Sequence, residues 1–368
     1  MKPITKPIMK PKTQLNLTIN KQTGLTLIEI MIAITLSLFL LGGLLQMVSA
    51  NKQTYRVQDA MARVQENGRF SLHFLSKDIR MAGFMGCSNT SGGLTVTNNV
   101  KSTAYDADAY AAAGQFDGNS AVVGYSYTTG TLPTELSSLG LTTGTDVGDI
   151  MENTDVLFLR RAASCPGGNV VGHNNSTTGG PTAASMKIED NTFCQIQQDD
   201  IVMVSNCETA EIFGVSNVVS SGGFDNIAHG ANNNNSPKLA NGYGADSFLF
   251  KMKSEIYYIG VGASGQPALF KRELRIVSAN TAGLANQELV EGVEDMTILY
   301  GEDRGTLDGT ADAYVTAANV FDMENVVSIR ITATARTLED NIATSVNNGD
   351  QRIRRDFSTT IGIRNRIS

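Results

Sequence analysis

A carboxylate at the start of a long apolar run is the side chain of this sequence with the clearest potential for chemistry. Glu29 lies five residues after Gly24, and residues 30–45 are apolar except for one threonine, one serine and two glycines. Counted from Leu25 to Val48, the run is long enough to span a hydrocarbon core of ~30 Å as a helix. An ionisable group inside a membrane span costs roughly 2.5–3.5 kcal/mol and usually has a function and a partner. The spacing therefore predicts a working carboxylate near one end of a membrane-spanning helix.

The same segment has an ordinary alternative interpretation as a signal peptide or signal anchor. Glu29 would then stand by accident at the cytoplasmic edge of the span. A secretory signal peptide would be cleaved after its apolar region, at small residues. Ser49–Ala50 is a poor site of that kind. The two interpretations place the cleavage site on opposite sides of the apolar run.

Other residues that could support catalysis or cofactor binding do not converge. His73, His173 and His229 have no nearby nucleophile or metal-spaced partner, and we expect them to be solvated. Residues 260–265 read G-x-G-x-x-G after a strand, but the dinucleotide fingerprint requires a helix to follow. Pro267 and a strand-like segment follow instead, so a hairpin turn is favoured. No cofactor is expected.

Two charged clusters could be either functional sites or ordinary surface features. Asp303, Asp308 and Asp312 lack the spacing of a 12-residue calcium loop, so a solvated loop is favoured over a metal site. The cluster at 352–355 contains three arginines and could form a basic contact patch. Alternation of charged residues along a strand edge is the favoured interpretation. No metal ligand and no catalytic residue is assigned.

Four cysteines lie beyond the apolar run. An even number in an oxidising compartment indicates two disulfides, with three possible connectivities. The spacings do not fit zinc or thioredoxin-like motifs. We favour Cys194–Cys207, which closes a short loop across two strand-like stretches, and Cys87–Cys165 as the remaining pair.

The charge distribution predicts an orientation in the membrane. The first 24 residues contain five lysines and no acid, and removing them leaves 24 basic and 36 acidic residues. The net charge of the remainder is therefore −12, against −7 for the whole chain. Basic residues before the span place the body, after about residue 49, outside the cytoplasm. The acidic body argues against non-specific nucleic-acid binding, and the sequence shows no nucleic-acid site.

The elements that position these residues are a long helix and a β-rich body. No proline interrupts residues 25–80, and apolar residues recur every three or four positions from Val57 to Ile79, which predicts one helix of ~80 Å. Gly83 and Gly86 are stop signals, and a bend at Gly42–Gly43 is less favoured than a continuous helix. The alternation beyond this helix predicts strands at 155–161, 200–204, 210–219, 254–261, 268–277, 296–300, 326–335 and 357–363, with loops at 167–181 and 222–243.

The sequence around Gly24 resembles the processing site of type IV prepilins. Gly24, Thr26, Leu27 and Glu29 match at fixed spacing, and the body resembles PilW-type minor pilins of type IV pili. The body motifs appear in order at 65–70, 78–87, 155–157 with 160–162, 200–207, 289–296 with 299–301, and 355–360 leading to 364–366.

The resemblance implies a fold, a processing site and a function. The fold is α+β and type IV pilin-like, with a long N-terminal helix packed on a mainly antiparallel β domain. Its segments are a cleaved cytoplasmic leader at 1–24, a helix at 25–83 with a transmembrane half at 25–48 and an amphipathic half at 49–83, and a periplasmic body at 84–368. A prepilin peptidase would cut between Gly24 and Leu25, and the new Leu25 amine would be N-methylated. Such a protein is not an enzyme.

The implied role is in pilus assembly. The protein would join other minor pilins and the major pilin in the inner membrane, prime pilus assembly, and sit at or near the tip, where a large adhesin is a compatible partner. Glu29 would act in assembly, pairing with the N-terminal amine of a neighbouring subunit. Two alternatives remain: a J-like minor pseudopilin of a type II secretion system, and a membrane-anchored periplasmic enzyme.

Overall fold

The computed structural model describes residues 24–86, 94–114, 116, 120–173, 184–278, 281–343 and 349–366. The helices are α1 (Leu27–Met81), α2 (Ala107–Ala109) and α3 (Thr134–Ser138), with a π-helical turn at Tyr110–Gly114 and 3₁₀ turns at Ser102–Ala104, Ala317–Asn319 and Met323–Asn325. The strands are β1 (Thr95–Asn98), β2 (Val122–Tyr127), β3 (Thr154–His173), β4 (Ser185–Ile188), β5 (Ile201–Ser205), β6 (Thr209–Gly214), β7 (Asn217–Ser221), β8 (Phe224–Ala228), β9 (Phe248–Val261), β10 (Pro267–Ser278), β11 (Thr281–Glu291), β12 (Val293–Glu302), β13 (Ala313–Val315), β14 (Val326–Arg336) and β15 (Arg354–Gly362).

The fold is α+β, as the sequence predicts, with a long apolar N-terminal helix and mainly antiparallel strands. The chain divides into two compact units, Met1–Tyr55 and Arg56–Ser368, and the division falls within α1. The predicted borders of leader, helix halves and body stay predictions.

The described strands of the second unit form two sheets. The larger sheet has the order β1-β6-β5-β9-β3-β4-β8-β7, with β2 paired to β3 and the β10–β11 hairpin paired to β9. The smaller sheet has the order β13-β12-β14-β15 and is antiparallel throughout. Only the β1–β6 pair is parallel among the described strands. The sheet organisation therefore puts β15 at one edge of the smaller sheet.

The second half of α1 is held by a stripe of buried residues at helical spacing. Val64, Gly68, Ser71, Leu75 and Ile79 are buried, three or four residues apart, so they lie on one face of the helix. Leu75 and Ile79 share an apolar core with strands of both sheets. This core, rather than intrinsic helix propensity alone, stabilises the amphipathic half of α1.

The C-terminal end of α1 is defined by Gly83. Its positive φ of 73° is a left-handed conformation that favours glycine, and its N–H donates to Arg160 O at 3.0 Å. Ala162 N then donates to Phe84 O at 2.7 Å, so the end of the helix is fixed to β3. The predicted stop at Gly83 is confirmed, as is an uninterrupted helix through Gly42–Gly43.

The predicted disulfide connectivity is wrong. Cys165 is bonded to Cys194, with 4.9 Å between their Cα atoms, so neither Cys194–Cys207 nor Cys87–Cys165 forms. Cys207 is also disulfide-bonded, and Cys87 lies outside the described residues.

The error has a tertiary cause. The loop after β4 returns onto an irregular part of β3, where Asp190 N donates to Gly167 O at 3.0 Å, and this places Cys194 beside Cys165. Strand β5 separates Cys194 from Cys207. A five-residue strand extends about 17 Å, and a disulfide needs Cα atoms within about 7 Å.

Three other local predictions are also corrected. The predicted loop at 167–181 begins as strand, since β3 continues to His173, and residues 174–183 lie outside the described part of the chain. The single strand predicted at 210–219 is two strands, β6 and β7, and the loop predicted at 222–243 contains β8. These segments are rich in glycine, serine and asparagine, so their alternation is weak and pairing with neighbours decides their conformation.

Candidate functional site

The candidate site is the start of α1, where the sequence places Gly24, Leu25 and Glu29. Gly24 and Leu25 are exposed and precede the helix, which begins at Leu27. A Cβ atom added at Gly24 would meet no atom within 4 Å. Among the described residues, no contact therefore requires glycine at this position.

Glu29 closes a reciprocal cap with Thr26. The Glu29 carboxylate accepts from Thr26 N at 3.1 Å and from Thr26 Oγ1 at 3.0 Å, and Thr26 Oγ1 accepts from Glu29 N at 3.4 Å. Thr26 is the N-cap and Glu29 the third helical residue, so the pair forms a capping box. Because the cap fixes the first turn, the Gly24–Leu25 peptide bond lies outside the helix.

Thr26 was not assigned a role of its own from the sequence. The signal was available, because a threonine followed three residues later by glutamate, just before an apolar run, is typical of a capping box. Among the described residues, the Glu29 carboxylate has no cationic partner. Its hydrogen bonds come from Thr26. Thr26 is neutral, so the Glu29 carboxylate is hydrogen-bonded but its negative charge is not balanced by these contacts.

The first half of α1 carries an apolar surface all round. Residues 24–50 are all exposed, and α1 is the one helix among the described residues that is long and apolar enough to cross a membrane. Thr35 Oγ1 donates to Met31 O and Ser37 Oγ to Ala33 O, each at 2.7 Å. These hydroxyls are satisfied within the helix, which reduces the cost of placing them in lipid.

The second half of α1 is fixed to the body by hydrogen bonds and by one close packing contact. Asn67 Nδ2 donates to Glu291 O at 2.8 Å, and a Cβ at Gly68 would lie 2.2 Å from the Phe357 ring. Arg364 N donates to Arg80 O at 3.2 Å. These contacts attach α1 to the strand β15 and to the junction of β11 and β12.

A buried charged cluster joins the same helix to the larger sheet. Arg161 lies 3.3 Å from Asp78 Oδ1 and 3.3 Å from Glu255 Oε1, and the Tyr257 hydroxyl donates to Asp78 Oδ2. Burial raises the pKa of Glu255 above its ordinary value, although Arg161 opposes the shift. Burial and the neighbouring Asp78 raise the pKa of Tyr257, which therefore stays protonated as a donor. The cluster links α1 to β3 and β9 of the larger sheet.

Two of the body motifs identified in the sequence, at 155–157 and 160–162, also hold parts of the fold together. The Arg160 guanidinium, 7% exposed, donates to Ala112 O at 2.7 Å and to Ser120 O at 2.8 Å, and it lies 4.0 Å from the centre of the Phe158 ring. Asp155 Oδ2 accepts from Ile298 N at 2.7 Å and so joins the two sheets. These motifs hold the fold together, and they do not assemble around a substrate site.

The remaining sequence candidates have structural roles. The glycines at 260–265 form the hairpin turn between β9 and β10, as predicted, with Gly262 N donating to Gln266 O at 2.8 Å. Asp308 and Asp312 are exposed, as a solvated loop predicts, but Asp303 is buried and accepts from Gly309 N at 2.7 Å, so the expectation is wrong for Asp303. No group of three metal-ligating side chains converges in the described residues. Arg354 pairs with Glu294 and Asp350, so it is engaged within the chain at the start of the edge strand β15.

The histidines divide between surface and core. His73 is exposed on α1, as expected. His229 is fully buried, with Nδ1 3.1 Å from Pro237 O and its ring 5.3 Å from that of Phe213, so the expectation of a solvated side chain is wrong for it. His173 is the last residue of β3. The error at His229 arises because a loop rich in asparagine buries it.

Two family models match the chain. The model of the prokaryotic N-terminal methylation motif matches residues 19–45, and that of the type IV pilus-assembly protein W matches residues 256–365. The chain matches a PilW-type minor pilin. No curated protein and no solved structure matches it significantly.

The two matches coincide with distinct parts of the chain. The methylation-motif match contains Gly24, Leu25 and Glu29 together with most of the exposed apolar half of α1. The other match covers the last part of β9, from residue 256, and the strands β10–β15, which include the whole smaller sheet. Both support a structural pilin of a type IV pilus that is anchored in a membrane and interacts with other pilus components.

Proposed function

We propose that this PilW-type minor pilin joins other minor pilins and the major pilin in the inner membrane, primes type IV pilus assembly, and then sits at or near the pilus tip. A prepilin peptidase cuts between Gly24 and Leu25, and the new amine is N-methylated. The body is periplasmic before assembly. The protein acts as a structural subunit and not as an enzyme.

The observation that carries this proposal is the exposed first half of α1 with Glu29 at its start. Its large side chains are exposed in a single chain; Leu27, Phe39 and Leu45, for example, are 77%, 85% and 62% exposed. Such a surface needs lipid before assembly and other apolar helices after it. A subunit built this way can leave the bilayer only when neighbouring helices replace the lipid.

Glu29 supplies the docking step in this proposal. Thr26 hydrogen-bonds the carboxylate but cannot neutralise its charge. In a packed helical bundle, an unpaired carboxylate is costly, and a cation offsets that cost. The N-terminal amine that cleavage creates on an adjacent subunit is a cation at the matching depth.

A deletion strain tests the proposal and separates it from the pseudopilin alternative. We expect loss of the chain to reduce surface pili at least about tenfold while secretion through a type II system stays at the wild-type level. Re-expression of the wild-type chain is the control and should restore pili. Normal piliation with defective secretion would overturn the proposal in favour of the pseudopilin.

A further inference from the structure

The free edge of the smaller sheet is an unused hydrogen-bonding surface. Strand β15 pairs with β14 on one side, and no described strand pairs with its other side. It is nine residues long, contains no proline, and carries the exposed residues Asp356, Ser358 and Thr360 in its middle. Long unprotected edges readily accept another strand, and most proteins blunt them.

The register identifies which backbone groups point outward. Ile363 N donates to Val327 O at 2.9 Å, and Thr337 N donates to Ile353 O at 3.0 Å. In an antiparallel ladder such pairs recur at every second residue. The odd-numbered residues of β15 therefore face β14, and the backbone N–H and C=O of Asp356, Ser358 and Thr360 face the free edge. These groups have no hydrogen-bond partner among the described residues.

A groove runs beside this edge. Its volume is about 1160 Å³, and its described lining comes from α1 between Ala62 and Met81, from Thr359 of β15 and from Arg364. Because no described residue of β14 lines it, the groove lies on the free side of β15. Its apolar lining residues include Phe70 and Leu72, and the Phe70 side chain is 49% exposed.

The groove is basic although the body is acidic. Arg69, Lys77, Arg80 and Arg364 line it and are exposed, and Glu66 is the one acidic residue among its described lining residues. None of the four cations has an ion-pair partner within the described parts of the chain. The chain beyond the leader has a net charge of −12, so this local excess of positive charge is opposite in sign to the net charge of the chain. It favours a negatively charged occupant.

We propose that the free edge of β15 and its basic groove bind an extended, acidic segment of a second pilin subunit, which adds a fifth strand to the smaller sheet. This inference rests on the proposed function. Backbone hydrogen bonds to Asp356, Ser358 and Thr360 hold the added strand. Its alternate side chains enter the groove, where acidic ones meet the four cations and apolar ones meet Phe70 and Leu72.

Hydrogen exchange on the full chain in detergent tests the edge directly. The chain is measured alone and in the complex purified after co-expression with the other minor pilins. We expect the amides of Asp356, Ser358 and Thr360 to exchange quickly in the isolated chain and at least about tenfold more slowly in the complex. The inward amides of Phe357, Thr359 and Ile361 serve as internal controls and should be protected in both.

A matched pair of substitutions tests the same edge by co-purification. Ser358→Pro removes an outward N–H and blocks the edge, and proline is tolerated on edge strands at such positions. Ser358→Ala removes the same hydroxyl but keeps the amide. We expect at least about a tenfold loss of co-purified pilins with Ser358→Pro and less than about a twofold change with Ser358→Ala.

A charge reversal that leaves the strand intact keeps the test valid if the proline variant unfolds. Lys77→Glu should weaken co-purification, and Lys238→Glu, an equal change at an exposed site outside the groove, should not. Unchanged edge exchange in a complex that does form would overturn this inference and leave the proposed function standing. Failure of the wild-type chain to co-purify with any pilin would overturn both.

Discussion

At the scale of single residues, the N-terminal motif can be identified from the sequence because it is local. Gly24, Leu25 and Glu29 are recognised by spacing alone, and the structure adds Thr26 as the partner that caps the helix. Disulfide pairing is not local in this sense. Cys165 and Cys194 are 29 residues apart and meet only because a loop folds back onto β3, which no spacing in the sequence encodes.

Processing can be tested at Gly24 without disturbing the fold. Because a Cβ there meets no atom within 4 Å, Gly24→Val should fold normally but leave a full-length precursor in the membrane. Mass spectrometry of the purified chain measures the outcome. Gly43→Val, at another open glycine position of the same segment, is the control and should be processed normally. A native N-terminus at Met1 or after Ala50 in the wild-type chain would contradict the cleavage assignment.

A buried carboxyl group predicts a pH dependence of stability. Glu211 is 1% exposed, and burial raises its pKa from 4.5 to about 7, although backbone N–H groups such as that of Ala240 at 2.6 Å oppose the shift. The folded state therefore holds this proton more tightly than the unfolded state. Stability contributed by Glu211 is fully present below about pH 4.5 and is lost as the pH rises through about 7.

The variant Glu211→Gln removes this titration. We expect the free energy of unfolding of the variant to depend less on pH between 5 and 7, with the wild type losing about 1–3 kcal/mol more than the variant across that range. Urea unfolding of the full chain in detergent at a series of pH values measures it. Parallel pH profiles for the two chains would show that Glu211 does not titrate in this way.

At the scale of elements, predictability follows the strength of the periodic pattern. Helix α1 is evident because no proline interrupts it and its buried stripe repeats every three or four residues. Strand β14 is evident because apolar and polar residues alternate along its second half. The extension of β3, the break between β6 and β7, and strand β8 are missed because glycine, serine and asparagine weaken the alternation there, and pairing with neighbouring strands holds these segments extended.

The contact between α1 and β15 predicts a large effect at one helix glycine. A Cβ at Gly68 would lie 2.2 Å from the Phe357 ring, whereas a Cβ at Gly43 meets nothing within 4 Å. Gly68→Ala should therefore destabilise the body by about 1–3 kcal/mol through overpacking. Gly43→Ala is the matched control and should not destabilise it, since alanine is the better helix former. Thermal unfolding in detergent measures both, and equal midpoints would refute close packing at Gly68.

At the scale of the whole molecule, one chain combines a surface for lipid and helices with a β-rich body. The exposed apolar half of α1 can be predicted from composition, because it needs no tertiary context. The free edge of β15 and the basic groove cannot, because they depend on which strand ends the sheet and on which helix face lies beside it. Assembly is proposed to use both surfaces.

The most direct test of the assembly account is co-purification of a Glu29→Gln chain with the other minor pilins from detergent extracts. Glutamine can keep the capping box with Thr26 but carries no charge, so the variant separates helix capping from charge pairing. We predict normal cleavage between Gly24 and Leu25, with co-purification and surface piliation reduced at least about tenfold. Glu29→Ala, which removes both functions, should be at least as defective. Normal co-purification and normal piliation with Glu29→Gln would show that the charge is dispensable and would contradict the account.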